Sequence, residues 1–116
     1  MLAVVAVAVL VGAAPAPAAG GYRACAGGYT PEGKPPQNGN APFFRRIRAR
    51  KVSCASARRV TKTFIKRYGG RSHVTLRAAG RTWHCDLHFR STPFAETAHP
   101  VCAARGGRRV RFYGAP

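Results

Sequence analysis

Residues 83–90 read Trp83-His84-Cys85-Asp86-Leu87-His88-Phe89-Arg90, an unbroken alternation of apolar and polar side chains. A period of two residues is that of a β-strand with one buried face and one wet face. The apolar members Trp83, Cys85, Leu87 and Phe89 are predicted to point towards a core. Antiparallel sheets commonly leave one face in water, so this strand predicts a sheet of that kind.

A helix is predicted before this strand, beginning after Ser53 and ending at Gly69-Gly70. Ser53 is a favourable N-cap residue, and the glycines suit a C-terminal cap. The predicted buried face recurs at helical spacing and consists of Cys54, Ala57, Val60, Thr61, Phe64, Ile65 and Tyr68. An opposite basic stripe contains Arg58, Lys62 and Lys66, which we interpret as a solvated face in preference to a membrane-binding one.

Further strands are predicted at residues 46–50, at 73–77 and in a hairpin of residues 101–112 around Gly106-Gly107, with residues 91–98 as a loop. A two-residue hairpin turn would pair Ala103 with Val110. A three-residue turn would pair Cys102 with Val110, and we favour it because it directs Cys102 inward. The predicted fold class is α+β: a strand, one amphipathic helix, then antiparallel strands forming a sheet of about four strands with the helix on one face.

Three segments follow from the distribution of residue types. Residues 1–19 have an uncharged apolar run that ends in Ala16-Pro17-Ala18, which predicts an export signal that is too short to span a membrane. Residues 20–42 are rich in glycine and proline and are predicted to form an irregular arm. Residues 43–116 are predicted to form one small α+β domain, and the protein is expected to be secreted.

Four cysteines, at positions 25, 54, 85 and 102, form an even set in a chain with a predicted export signal. Two disulfides are the expected use, because the spacing lacks the close pairs that zinc sites usually have. We favour Cys85 with Cys102, since both lie on core-facing positions of consecutive strands. Cys25 with Cys54 would then fasten the arm to the start of the helix, although the other two pairings stay open.

The charge is extreme: 20 lysines and arginines face three acidic residues, giving a net charge of +17. Such a chain is expected to bind polyanions, namely cell-wall polymers, a nucleic acid backbone or anionic lipid head groups. Strand alternation places most candidates on the wet sheet face, which is predicted to lack exposed aromatic side chains. The predicted polyanion-binding residues are Arg46, Arg48, Arg50, Arg77, Arg90, Arg109 and Arg111. A merely solvated face, enriched in arginine by a GC-rich genome, would have the same composition.

Enzymatic chemistry has little support in the sequence. His84, Asp86 and His88 share a strand face, but His84 and His88 are too far apart for one ion, and a metal site would need a third ligand such as His73. Cys54 at a helix start would be a reactive thiol only if it were free. The three acids are too scattered for a carboxylate-pair hydrolase. No cofactor or metal is predicted, and the protein is expected not to be an enzyme.

The stretch Ile47-Arg48-Ala49-Arg50-Lys51-Val52-Ser53-Cys54-Ala55-Ser56-Ala57-Arg58-Arg59-Val60, with single cysteines at 85 and 102 and a closing Val110-Arg111-Phe112, resembles small secreted disulfide-containing actinobacterial proteins of unknown function. The resemblance covers residues 47–112. It implies secretion and the order strand, helix, strand, and it assigns no site residue. Beside polyanion binding, the alternative function is a secreted inhibitor or effector that binds a protein partner.

Overall fold

The structure is a computed structural model that describes residues 21–37, 39, 41–91, 93 and 96–115. The predicted signal peptide, residues 1–19, lies outside the described residues. Over the described part of the chain there are six strands and one α-helix. In chain order they are β1 (Arg23–Ala24), β2 (Phe44–Arg50), α1 (Cys54–Arg67), β3 (His73–Ala78), β4 (Arg81–Ser91), β5 (Glu96–Ala104) and β6 (Arg108–Gly114).

All six strands form one antiparallel sheet in the order β1-β2-β6-β5-β4-β3. The α+β class is confirmed, but the predicted number of about four strands is wrong. The arm is not wholly irregular, because β1 pairs with β2 and Tyr29 bridges Phe44. The strand before the helix also joins the same sheet through β6. Helix α1 therefore connects two strands near opposite edges of one sheet.

The helix and hairpins follow their sequence signals closely. Ser53 caps α1 by accepting a hydrogen bond from the backbone N–H of Ser56 at 3.1 Å, and the cationic Lys66 and Arg67 occupy the last turn. A three-residue turn joins β5 to β6 and pairs Cys102 with Val110, as favoured. The predicted loop at residues 91–98 is shorter than expected, since β4 continues to Ser91 and β5 begins at Glu96.

The core lies between α1 and one face of the sheet. Helix residues Ala57, Val60, Thr61, Phe64 and Ile65 are buried against strand residues that include Ile47, Leu76, Trp83, Val110 and Phe112. Phe89 was predicted to join this core, and that prediction is wrong, because its side chain is 53% exposed. The buried run on β4 ends at Leu87, so Phe89 lies one inward position beyond the hydrophobic cluster.

One disulfide joins the arm to α1 and the other joins two strands of the sheet, and they are the two pairings that the sequence favoured. Cys25 is bonded to Cys54, and Cys85 is bonded to Cys102. Cys85 and Cys102 are directly opposite each other on β4 and β5 and are almost completely buried. Cys25–Cys54 instead holds the arm at the start of α1, which keeps β1 at the edge of the sheet.

Candidate anion-binding face

The sheet face opposite α1, here called the outer face, carries its polar side chains in rows that cross the strands. Strand register defines these rows, because directly paired residues lie side by side and alternate residues share a face. The first row is Arg45, Tyr113, His99 and His88; the second is Arg48, Arg111, Val101, Asp86 and His73; the third is Arg50, Arg109, Ala103, His84 and Thr75. Arginines therefore concentrate on β2 and β6, and histidines on β3, β4 and β5.

A β-bulge in β2 adds one more cation to the first row. The pairing with β6 shifts between Arg45 and Arg48, and Arg46 adopts a positive φ of 55°. Phe44 and Ile47 both stay buried across this extra residue, so Arg45 and Arg46 both turn outward. Their guanidinium carbons lie 5.2 Å and 5.0 Å from the centre of the same Tyr113 ring.

A recess of about 350 Å³ opens where the first two rows meet. The described residues that line it include four arginines and two histidines, and none of them is acidic. The cationic and imidazole side chains are Arg46, Arg48, Arg90, Arg111, His88 and His99. We call it the arginine–histidine recess. Guanidinium groups donate paired hydrogen bonds that match the oxygens of phosphate or sulfate, so its chemistry suits a tetrahedral anion.

His99 is one of the side chains that line this recess. Its Nε2 is 3.0 Å from the Thr97 hydroxyl, and its ring packs edge-on against Tyr113 with the ring centres 5.2 Å apart. Partial burial is the main cause that lowers the pKa of His99 below its ordinary value of 6.5, followed by the positive charges of Arg90 and Arg111 and by His88. His99 is therefore a neutral imidazole near neutral pH in the absence of an anion.

Tyr22 and Tyr113 lie on the outer face, but Tyr22 is buried and Tyr113 is half-buried, so neither contradicts the predicted lack of exposed aromatic side chains. Tyr113 carries Arg45 and Arg46 over its ring, and Tyr22 from the arm lies 5.0 Å from the guanidinium carbon of Arg111. These contacts are cation–π interactions that occupy the rings. Neither ring is thus a free platform on which a nucleic acid base could stack, and Trp83 is in the core as predicted.

The structure brings together some of the seven predicted arginines and separates others. Arg46, Arg48, Arg90 and Arg111 meet in the arginine–histidine recess. Arg77 lines a second recess with Arg81 and Arg105 at the other end of β5. Arg50 and Arg109 face each other across β2 and β6 in the third row, and neither of them lines either recess. The sequence reasoning missed His99, Tyr113 and Arg45. For Arg45 a signal was present, because the three-residue spacing of Phe44 and Ile47 breaks the strand alternation and indicates the bulge.

The acid on the outer face is already paired. His73 Nδ1 hydrogen bonds Asp86 Oδ1 across β3 and β4, and both side chains are largely exposed. Among the described residues, no group of three or more His, Cys, Asp or Glu side chains has the geometry of a metal site. Cys54 is bonded to Cys25, so the thiol chemistry considered for a free Cys54 does not arise.

No family model, curated protein or solved structure matches this chain. The resemblance to secreted actinobacterial proteins therefore stays an expectation. Among the described helices, α1 is neither long enough nor apolar enough to cross a membrane.

Proposed function

We propose that this is an exported, non-enzymatic protein that binds linear phosphate-bearing polymers of the cell envelope across its outer face. The observation that supports the proposal best is the arginine–histidine recess, where four arginines converge without an acid in the lining. The two disulfides fit an oxidising compartment. The net charge of +17 would draw a polyanion to the face and make binding sensitive to salt.

Two features favour an envelope polymer over the other polyanions considered. The outer face offers recessed arginines, which suit a threadlike chain of phosphates better than the flat surface of a bilayer. Tyr113 and Tyr22 lie beneath guanidinium groups, so base stacking would have no free platform on this face. Recognition would then depend on the charge and spacing of phosphates.

The test measures binding of fluorescently labelled polyphosphate of defined length over a range of NaCl concentrations. A triple variant, Arg48→Gln with Arg90→Gln and Arg111→Gln, is expected to weaken binding by at least about tenfold and to flatten the salt dependence by about two to three units of log–log slope. The matched control is Arg59→Gln with Lys62→Gln and Lys66→Gln on the exposed face of α1. It removes the same charge and should change affinity by less than about threefold.

Equal weakening by the two triple variants would contradict a binding face and leave only bulk attraction by net charge. A single-stranded oligonucleotide that bound more tightly than polyphosphate of equal charge would favour nucleic acid as the ligand. Secreted protein partners make a different prediction, because an interface with an apolar centre should hold its affinity as salt is raised.

A further inference from the structure

The two walls of the arginine–histidine recess differ in how their charge responds to pH. Arg46, Arg48 and Arg111 on the β2–β6 side stay charged at every accessible pH. The β4–β5 side carries Arg90 together with His88 and His99, which lie opposite each other on the two strands. Histidine changes charge between about pH 5 and pH 8, so this wall gains positive charge at His99 as the solution becomes mildly acidic.

Among the described residues, the side chains that face His99 from the packed strands are all cationic or neutral. Strand β4 presents His88 and Arg90, β6 presents Arg111 and Tyr113, and β2 places Arg46 over the Tyr113 ring. Asp86 lies two positions from His88 on β4. Its carboxylate is hydrogen bonded to His73 on β3, which lies on the other side of β4 from His99. Glu96 lies opposite Ser91 at the start of β5 and does not line the recess.

We propose that the arginine–histidine recess is a subsite for one phosphate or sulfate group, and that protonation of His99 tightens anion binding as the pH falls. This subsite rests on the proposed function, for which it supplies the ligand group and a means of regulation. The cavity of about 350 Å³ has the volume of roughly ten water molecules, enough for a tetrahedral anion with part of its hydration shell.

The direction of the pH effect follows from linkage. In the free protein, burial and the surrounding cations lower the pKa of His99, so that the ring is neutral at neutral pH. A bound anion favours the imidazolium form and raises that pKa again. Anion binding therefore takes up a proton in the window between the free and the bound pKa values. Affinity is greatest below this window and declines as the pH rises through it.

Calorimetric titration with sulfate at low ionic strength tests this inference, because sulfate keeps a constant charge whereas inorganic phosphate titrates in the same range. Binding is expected to be about fivefold tighter at about pH 5.5 than at about pH 7.5. His99→Gln should reduce this ratio. The matched control His84→Gln, on the same strand face one row beyond Asp86, should preserve it.

The wild-type protein supplies a second measurement that does not depend on any variant folding. The His99 ring resonances, followed by NMR through a pH titration, should give a higher pKa with saturating sulfate than without it. An unchanged His99 pKa in bound protein, or a sulfate affinity equal at the two pH values, would overturn the pH-dependent part of the proposal.

The position of the subsite is tested by two neighbouring arginines on β6. Arg111 lines the recess, whereas Arg109 lies one row away and is also exposed to solvent. Arg111→Gln should weaken sulfate binding at least fivefold, and Arg109→Gln less than twofold. Equal effects would refute the subsite. If polyphosphate still bound to the outer face with its salt dependence intact, only the subsite proposal would be refuted. If the salt-dependent binding of polyphosphate to the outer face were absent too, the proposed function would be refuted as well.

Discussion

At the scale of single residues, Arg46 has a strained backbone conformation that places its charged side chain in the recess. Its positive φ of 55° is a conformation that glycine adopts freely and that costs a residue with a side chain about 1 kcal/mol. The bulge that requires this conformation also turns Arg46 outward, over Tyr113 and into the recess. Positions that combine strain with a functional side chain are typical of binding sites, where stability is exchanged for geometry.

Glycine substitutions at adjacent positions separate these two contributions. Arg46→Gly should leave the free energy of unfolding unchanged or raise it by up to about 1 kcal/mol, because the strain is relieved. Arg45→Gly should lower it by about 1 kcal/mol, since Arg45 belongs to β2 without the positive φ of Arg46 and also donates a hydrogen bond to the Pro42 carbonyl at 3.1 Å. Urea unfolding measures both values, and equal destabilisation would show that Arg46 carries no strain.

At the scale of elements, the arm depends on the Cys25–Cys54 disulfide. Outside the β1–β2 ladder, three backbone hydrogen bonds attach it to β2: Cys25 N–H to Ile47 O and Tyr29 N–H to Phe44 O, both 2.8 Å, and Phe44 N–H to Tyr29 O at 2.9 Å. The double variant Cys25→Ala with Cys54→Ala should cost about 3–4 kcal/mol through loop entropy. Hydrogen exchange should show that the amides of Cys25 and Tyr29 lose protection while those of β4 and β5 keep theirs.

The comparison pair is Cys85→Ala with Cys102→Ala. Its loop is shorter, 17 residues against 29, so loop entropy alone predicts a slightly smaller loss. Both sulfurs are buried in the core, and their removal also leaves a cavity, so we expect this variant to be the less stable of the two. A larger loss for the arm disulfide would contradict the view that it fastens only a peripheral element.

The elements that local patterns specify are predicted well, and these include the edge strand β3, but the other sheet edge, formed by the arm, is not. Helix α1 has its own cap, apolar face and glycine stop, and β4 has its alternation, so neighbouring residues contain the information. The pairing of β1 with β2 depends instead on a disulfide between residues 29 positions apart. Phe89 obeys the alternation yet is exposed, because alternation tells which face a residue occupies and not how far the core extends. The recess was missed for a related reason: His99 and Arg90 meet Arg111 only through strand order.

At the scale of the whole molecule, the net charge of +17 predicts that salt acts in opposite directions on stability and on binding. Folding brings the cations together, and added salt screens their repulsion, so the free energy of unfolding should rise with NaCl. Between about 20 mM and about 500 mM NaCl we expect a gain of about 1 kcal/mol, which corresponds to about 4–8 °C in Tm for a chain of this size. A Tm that fell with salt would show that attractive ion pairs prevail.

The triple variants of the outer face and of α1 show which surface contributes more to the charge repulsion. Each removes three positive charges, one set from the outer face and the other from α1. At low salt both should raise Tm, and the outer-face set should raise it more, because Arg48 and Arg111 lie directly opposite each other on paired strands. The same variant is the one expected to lose polyphosphate binding. Higher stability with lost binding would mean that the arginine rows are kept for a ligand at a cost in stability. Equal Tm changes in both variants would show instead that repulsion between cations on the outer face lowers stability no more than repulsion on the surface of α1.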